Sequence, residues 1–336
     1  MFKNLCIAQI GVGYWGPNLL RNLMANESCE VKTVVDLSEE RRDFVHGLYP
    51  SVALSDKIDD VINDTEINAV VISTPVASHF YLAMQCLEAG KHVLIEKPMA
   101  TTVKEVEEIG QLAKDKNLVV MVGHTFLYNP AVRYVKKLID NGELGDIRYI
   151  YSQRVNLGRI RSDVNALWNL APHDISIIQY WLNDAAPKKV TRSGMAYVQD
   201  DVDDVVFMNI QYSNDILINI HVSWLDPHKV RRMTIVGSEK MVVYDDLAEN
   251  KVTIYDKGID RMAVLGEHMD FDNMNTFNFS HRSGDVVFPK IKWEEPLKVE
   301  IEHFVDCILN GTECLTGTDH AKKVVSILEA GSRSTV

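Results

Sequence analysis

The sequence predicts an α/β fold: a doubly wound parallel sheet in the first third of the chain and a strand-rich α/β unit after it. Three observations carry this. Short apolar runs alternate with helical stretches as far as Gly123, and the first run opens into the glycine-rich turn GVGYWG, Gly11 to Gly16. From Ile147 onward strand-like alternation dominates.

The apolar runs are LCIAQIG from Leu5, CEVKTVVD from Cys29, AVVISTP from Ala69, HVLIEKP from His92 and LVVMVG from Leu118. They are short and rich in Val and Ile, as strands buried on both faces are. Between them the pattern predicts helices over Pro17–Ala25, Ser38–Leu48, Ser78–Ala89 and Val103–Lys116. Such alternation builds a parallel sheet covered by helices on both faces. Helices are next predicted over Pro130–Asn141 and Leu170–Trp181. Strands are predicted at IRYIYSQRV, VVFMNIQY, ILINIHVSW, RRMTIVG, KMVVYD and KVTIYD, with turns at Ser213-Asn214-Asp215 and Gly237-Ser238. Closing helices are expected over Val299–Leu309 and Asp319–Ala330.

The first turn carries chemistry. Gly11, Gly13 and Gly16 form G-x-G-x-x-G between a strand and a helix. Gly11 permits the tight turn, Gly13 lets a pyrophosphate approach the backbone, and Gly16 allows close helix–strand packing. Tyr14 and Trp15 lie inside this turn, where their backbone N–H groups matter more than their rings. Asp36 ends the second run at the spacing of a ribose-binding acid, which favours NAD over NADP. The expected division is a dinucleotide-binding Rossmann domain over 1–123 and a second domain over 124–336. The closing helices are placed so that they can pack back on the first domain.

Composition bounds the remaining function classes. A chain of 336 residues, 46% hydrophobic and 24% charged, fits about two soluble globular domains. No apolar run approaches the roughly 20 residues of a spanning helix. The start, MFKNLCIAQIGVG, lacks the apolar core and cleavage site of a signal peptide, which predicts a cytoplasmic protein. Five dispersed cysteines without a C-x-x-C pair argue against a disulfide framework and against zinc, so no metal is expected. A net charge of −12 with no basic stripe among aromatics excludes nucleic-acid binding.

GVGYWG, STPVASH (Ser73–His79) and GKHVLIEKPMA (Gly90–Ala100) together resemble the Gfo/Idh/MocA family of NAD(P)-dependent sugar oxidoreductases. The triplet Glu96-Lys97-Pro98 is the most specific mark, and the likeness continues through NGELGDIRYI to EIEHFVDCILNG, over essentially the whole chain. The resemblance implies a second domain whose open, mostly antiparallel sheet carries substrate residues and commonly forms an oligomer interface. A homodimer or homotetramer is therefore expected.

Hydride transfer from a carbinol carbon needs a held cofactor, a base for the hydroxyl proton and a group that polarises the growing carbonyl. Lys97 closes a parallel strand at the edge where open α/β sheets bind ligands, and its ammonium can stabilise an oxyanion. The resemblance makes Lys97 an active-site residue, with Glu96 beside it at the cofactor. If Asn169 caps its helix, His173 falls in the first turn, where the dipole keeps an imidazole neutral. The resemblance makes a histidine in this helix the acid/base. The family places an aspartate four residues before it, and here Asn169 stands instead. Asn169 can orient a sugar hydroxyl but can neither take a proton nor supply charge.

Thr74 and Pro75 close a strand where the cofactor ribose should pass. His79 is read either as a cofactor-side contact or as a packed helix residue, and Trp168 either as flanking the nicotinamide or as core. Arg154, Arg159 and Arg161 in SQRVNLGRIRSDVN, with Asn156 among them, suggest a phosphate or carboxylate on the ligand. Ordinary strand and loop charge is the alternative. This stretch is similar to the nucleotide-sugar branch of the family, the UDP-N-acetylglucosaminuronate 3-dehydrogenases, which implies that Tyr128 and Asn129 line the sugar pocket. The expected activity is NAD-dependent oxidation of a secondary alcohol, at C3, of a nucleotide-linked sugar. A free-sugar or inositol dehydrogenase and a non-catalytic NAD-binding regulator are the alternatives.

Overall fold

The computed structural model describes residues 5–263 and 277–333. The first sheet contains β1 (Leu5–Ile10), β2 (Cys29–Val35), β3 (Ala53–Ser55), β4 (Ala69–Ile72), β5 (His92–Glu96) and β6 (Val120–Gly123). These strands lie in the order β3-β2-β1-β4-β5-β6, and every pair is parallel. Helices α1 (Gly16–Met24), α2 (Glu39–Leu48), α3 (Asp59–Ile62), α4 (His79–Glu88) and α5 (Val103–Asp115) connect them. Successive side chains of a strand point to opposite faces. Accordingly Leu5 and Ile7 of β1 join one core, while Ala8 and Ile10 join the other. The order reverses between β1 and β4, so the crevice for a ligand opens at their carboxyl ends.

The second sheet is larger. After α6 (Pro130–Asp140), it is built from β7 (Ile147–Leu157), β8 (Pro187–Met195), β9 (Val205–Tyr212), β10 (Leu217–Ser223), β11 (Leu225–Gly237), β12 (Met241–Asp245), β13 (Val252–Ala263) and β14 (Phe277–Val287). Its order is β14-β13-β12-β11-β7-β10-β9-β8. Only β7 and β10 run parallel; the other pairs are antiparallel. Helix α7 (Ala166–Trp181) lies on the inner face of this sheet, against β7, β9 and β10. The chain closes with α8 (Pro296–Asn310) and α9 (Thr318–Arg333). Helix α9 packs on α5 as well as α7, so it spans the two sheets.

Among the described residues, α3, β3, β8 and β14 lie outside the sequence expectation, and α7 begins at another residue. The three-residue strand β3 is too short to show periodicity. Strand β8, PKKVTRSGM, lacks an apolar alternation because it is an edge strand, where lysine and proline blunt pairing with other chains. Helix α7 begins at Ala166 rather than Leu170, with Asn165 as its cap: the Asn165 side chain accepts from the Trp168 amide at 3.0 Å. Pro172, which would fall in the first turn of a helix begun at Leu170, sits inside the helix. Lacking an N–H, it leaves the Trp168 carbonyl without its helical donor.

A buried ion pair ties α7 to the sheet. Arg154 of β7 donates through Nε and Nη2 to both Asp174 carboxylate oxygens, at 2.9 and 3.0 Å, and both side chains are almost wholly enclosed. Asp174→Ala strands a buried guanidinium and is expected to cost about 3–5 kcal/mol in urea unfolding. Arg154→Met with Asp174→Leu should recover most of that loss. If the single variant unfolds like the wild type, the pair does not hold the helix.

Candidate active site

The glycine turn is shaped to receive a dinucleotide. Gly11 has φ +91, and a Cβ there would meet the Ser73 carbonyl oxygen at 2.7 Å, so only glycine fits. A Cβ on Gly13 would meet nothing within 4 Å, which leaves its backbone open to a phosphate. Helix α1 starts at Gly16 and aims its free N–H groups at the same space. Tyr14 is exposed, as is Trp15, the residue that caps the helix. Asp36 is fixed by two amides: its Oδ2 accepts from Val12 at 2.7 Å and its Oδ1 from Ser38 at 2.9 Å. Its remaining lone pairs are free for ribose hydroxyls. The residues present thus fit NAD.

The turn after β4 is braced from inside. His79 is buried, its Nε2 2.8 Å from the Thr74 carbonyl oxygen and its Nδ1 2.9 Å from that of Pro98. It links the ends of β4 and β5, which matches the packed reading of this residue. Thr74 Oγ1 lies 2.8 Å from Ser78 Oγ, and Pro75 opens the short turn Val76–Ser78.

Lys97 follows β5, and its bond to Pro98 is cis. Its Nζ donates to the Asn169 carbonyl of α7 at 3.0 Å. Burial lowers the Lys97 pKa to about 8, against the attraction of Glu96 and with help from Arg154, Arg161 and Arg231. Glu96 is pushed up to about 7 by burial. Behind it, the buried Glu300 accepts from Thr125 Oγ1 at 2.8 Å and is pushed well above the usual carboxylate range by burial and by Glu96.

His173 lies at the eighth of the 16 positions of α7, about two turns from its start. The expected dipole effect is therefore out of reach, since it falls off within the first turn. Burial instead holds the imidazole well below its ordinary pKa, followed by the positive charge of Lys97 and Arg154 and by His124 and Arg231. The imidazole is thus held neutral by burial rather than by the helix dipole. Nδ1 of His173 is sealed from solvent with no hydrogen-bond partner among the described residues. The Phe126 ring meets the imidazole edge-on at 5.0 Å, and the Arg154 guanidinium stacks on that ring at 4.7 Å.

Other expected residues take different positions. Asn169 is no cap: its Oδ1 accepts from the Trp224 indole at 3.3 Å, one turn before His173. Tyr128 is in the core, its hydroxyl 3.0 Å from Thr316 Oγ1, and Asn129 caps α6 through the Ala131 amide. Both side chains are buried and engaged inside the protein, Asn129 Nδ2 donating to the Tyr244 hydroxyl at 3.3 Å. Trp168 donates its indole N–H to Ser332 at 2.9 Å, at the α7–α9 seam. Arg154 is engaged by Asp174 as described. Arg161 forms a forked pair with Asp163 at 2.8 and 2.6 Å, Arg159 is exposed, and Asn156 is half-buried on β7. Arg231, Phe126, His124 and Glu300 were missed. Register alone pairs Arg231 with Arg154 across β11 and β7, while Phe126 follows a strand end where ligands gather and could have been flagged.

Comparison with known proteins agrees with this geometry. The family described as "Oxidoreductase family, NAD-binding Rossmann fold" matches residues 5–124, and the "GFO/IDH/MocA C-terminal domain" matches residues 132–243. The chain belongs to the Gfo/Idh/MocA family. It is an oxidoreductase, and its cofactor is NAD. Among its relatives, the UDP-N-acetylglucosamine 3-dehydrogenase of Acidithiobacillus ferrooxidans is 30% identical over 194 residues, 57% of this chain and 60% of that protein. The 2,7-anhydro-N-acetylneuraminate hydratase of Mediterraneibacter gnavus is 23% identical over 339 residues, 96% of this chain and 88% of that protein. The structure of GenD2 from gentamicin A biosynthesis in complex with NAD superposes with a TM-score of 0.81 at 22% identity, covering 98% of this chain and 94% of that one. At that identity the likeness speaks for the fold.

Proposed function

We propose that this Gfo/Idh/MocA protein is an NAD-dependent dehydrogenase that oxidises a secondary alcohol, at C3, of a nucleotide-linked sugar. The observation that carries this reading is the meeting of Lys97 and His173 inside a group of arginines, Arg154, Arg161 and Arg231, in a chain of net charge −12. Each of these arginines also has a carboxylate partner, so what the group offers is guanidinium donors that a phosphate-bearing substrate can share, which suits such a substrate better than a neutral polyol. The named activity of the Acidithiobacillus relative supports the same substrate class. The domain division over 1–123 and 124–336 is retained as part of this proposal.

NAD, once bound, would supply the hydride acceptor. Gly11, Gly13 and Gly16 with Asp36 hold it, and Lys97 and His173 act on the sugar. His173, neutral at pH 7, takes the hydroxyl proton at Nε2, since Nδ1 is sealed off. The Lys97 ammonium stabilises the oxygen as negative charge grows on it. Asn169 orients Lys97 through its carbonyl rather than through its side chain.

This division of labour has a signed pH dependence. Activity should fall in acid as His173 gains a proton, with a midpoint below 6.5, and fall in alkali as Lys97 loses one near 8. Asn169→Asp adds a negative charge on the residue whose carbonyl holds the ammonium, which favours the charged form and should move the alkaline limb upward. A profile of kcat/KM that only rises through pH 8 would instead make neutral Lys97 the base.

The substrate class is tested by screening UDP- and dTDP-linked sugars for NADH absorbance. Arg159→Ala with Arg161→Ala should raise KM for a UDP-sugar by roughly 10- to 100-fold, the loss of one or two charge-assisted hydrogen bonds. Turnover of an uncharged sugar that survives the double change would reassign the enzyme to free sugars or inositols. Tight NAD binding without turnover of any sugar would favour a regulator.

The outer face of the second sheet supports a homodimer or homotetramer of a cytoplasmic protein. Tyr149, Tyr151, Phe207 and Leu217 stand exposed on it, an apolar patch of the kind that pairs with a second copy. Among the described residues no helix is long and apolar enough to cross a membrane. Phe207→Glu with Tyr151→Glu should reduce the mass seen by light scattering to that of one chain. An unchanged mass would move the interface elsewhere.

A further inference from the structure

We propose that His303, Cys307 and Cys314 form a binding site for a d10 cation of the Zn(II) class, separate from the Lys97–His173 cluster. His303 and Cys307 stand four residues apart on α8 and so share one face of the helix. The helix ends at Gly311, whose φ of +70 turns the chain back and brings Cys314 beside them. The three donor atoms then lie within 4.8 Å of one another.

The geometry matches a metal's requirements. Cys307 Sγ is 3.5 Å from His303 Nε2. A tetrahedral zinc ion with Zn–S near 2.3 Å and Zn–N near 2.0–2.1 Å sets sulfur and nitrogen about 3.5–3.6 Å apart. Two thiolates and an imidazole are soft to borderline donors, which select Zn(II) and its d10 relatives over calcium or magnesium. Cys307 is buried while His303 and Cys314 are half-buried, so an ion can enter without opening the core. The Leu315 amide now donates to His303 Nε2 at 3.0 Å. A bound ion takes that lone pair and leaves the amide to donate to a thiolate, as outer-shell groups of metal sites do. Three protein donors leave a fourth position for water.

The position gives the ion a structural consequence. The segment after Cys314 pairs with the first sheet: the Thr316 carbonyl accepts from the Val122 amide at 2.9 Å, and Thr316 Oγ1 meets the Tyr128 hydroxyl. An ion held at Cys314 therefore staples α8 to the edge beside β6. Binding to the folded chain alone stabilises it by mass action.

The test uses the full NAD-loaded chain, reduced and freed of metal. Zn(II) is titrated against a chromophoric chelator, and Cd(II) is added separately while thiolate-to-metal absorbance is read. The wild type should take up one equivalent, show the cadmium–thiolate band and unfold at a higher temperature with Zn(II). Cys314→Ser should lose the band and bind Zn(II) more weakly by upwards of roughly 100-fold, while Cys6→Ser binds as the wild type does. Should Cys307→Ser fail to fold, the wild-type cadmium band and the half-buried Cys314→Ser still decide. Absence of the band, or an equivalent of zinc retained by Cys314→Ser, would overturn the proposal and leave a thiol–imidazole hydrogen bond only.

Discussion

The Lys97 ammonium resting on the Asn169 carbonyl joins the two sheets of this protein at one hydrogen bond. Lys97 comes from the carboxyl edge of the parallel sheet, and Asn169 from the helix that covers the antiparallel one. The candidate site exists only because these two elements are pressed together. Arg154 and Asp174 make that placement rigid by locking α7 to β7. Pro172 frees the Trp168 carbonyl, one residue before the carbonyl that Lys97 uses.

Charge then organises the chemistry. The chain is acidic overall, yet Lys97, Arg154 and Arg231 gather around His173. Burial first, and then the repulsion between positive neighbours, keeps the imidazole neutral and makes the lysine easier to deprotonate than in water. Arg154 and Arg231 sit directly across from each other on β7 and β11, an arrangement that is repulsive unless anions intervene. Asp174 answers the first and Asp246 the second, the latter at a longer 3.4 Å.

Much of the fold was legible because buried parallel strands must be continuously apolar, and the first third of the chain shows that pattern plainly. The glycine turn and Asp36 were legible for a related reason: close approach of a phosphate forces specific residues at specific spacings. Strand β8 was not legible, because an edge strand is selected against stickiness rather than for core packing. Helix α7 was misjudged by one turn, since a proline at an interior position imitates a helix start.

The sequence by itself determined the parallel sheet and the dinucleotide turn, because local spacing and residue type suffice for these, whereas Lys97 and a histidine of a later helix were singled out by family resemblance. Only the tertiary structure decided why His173 is neutral, that Tyr128 and Asn129 serve the core and a helix cap, and that Arg231 belongs beside Arg154. It also brought His303, Cys307 and Cys314 together from a dispersed set of cysteines. Each of these depends on register, on where a helix begins or on how a turn folds back. Distances between residues far apart in the chain are set by packing, and packing has no local signature.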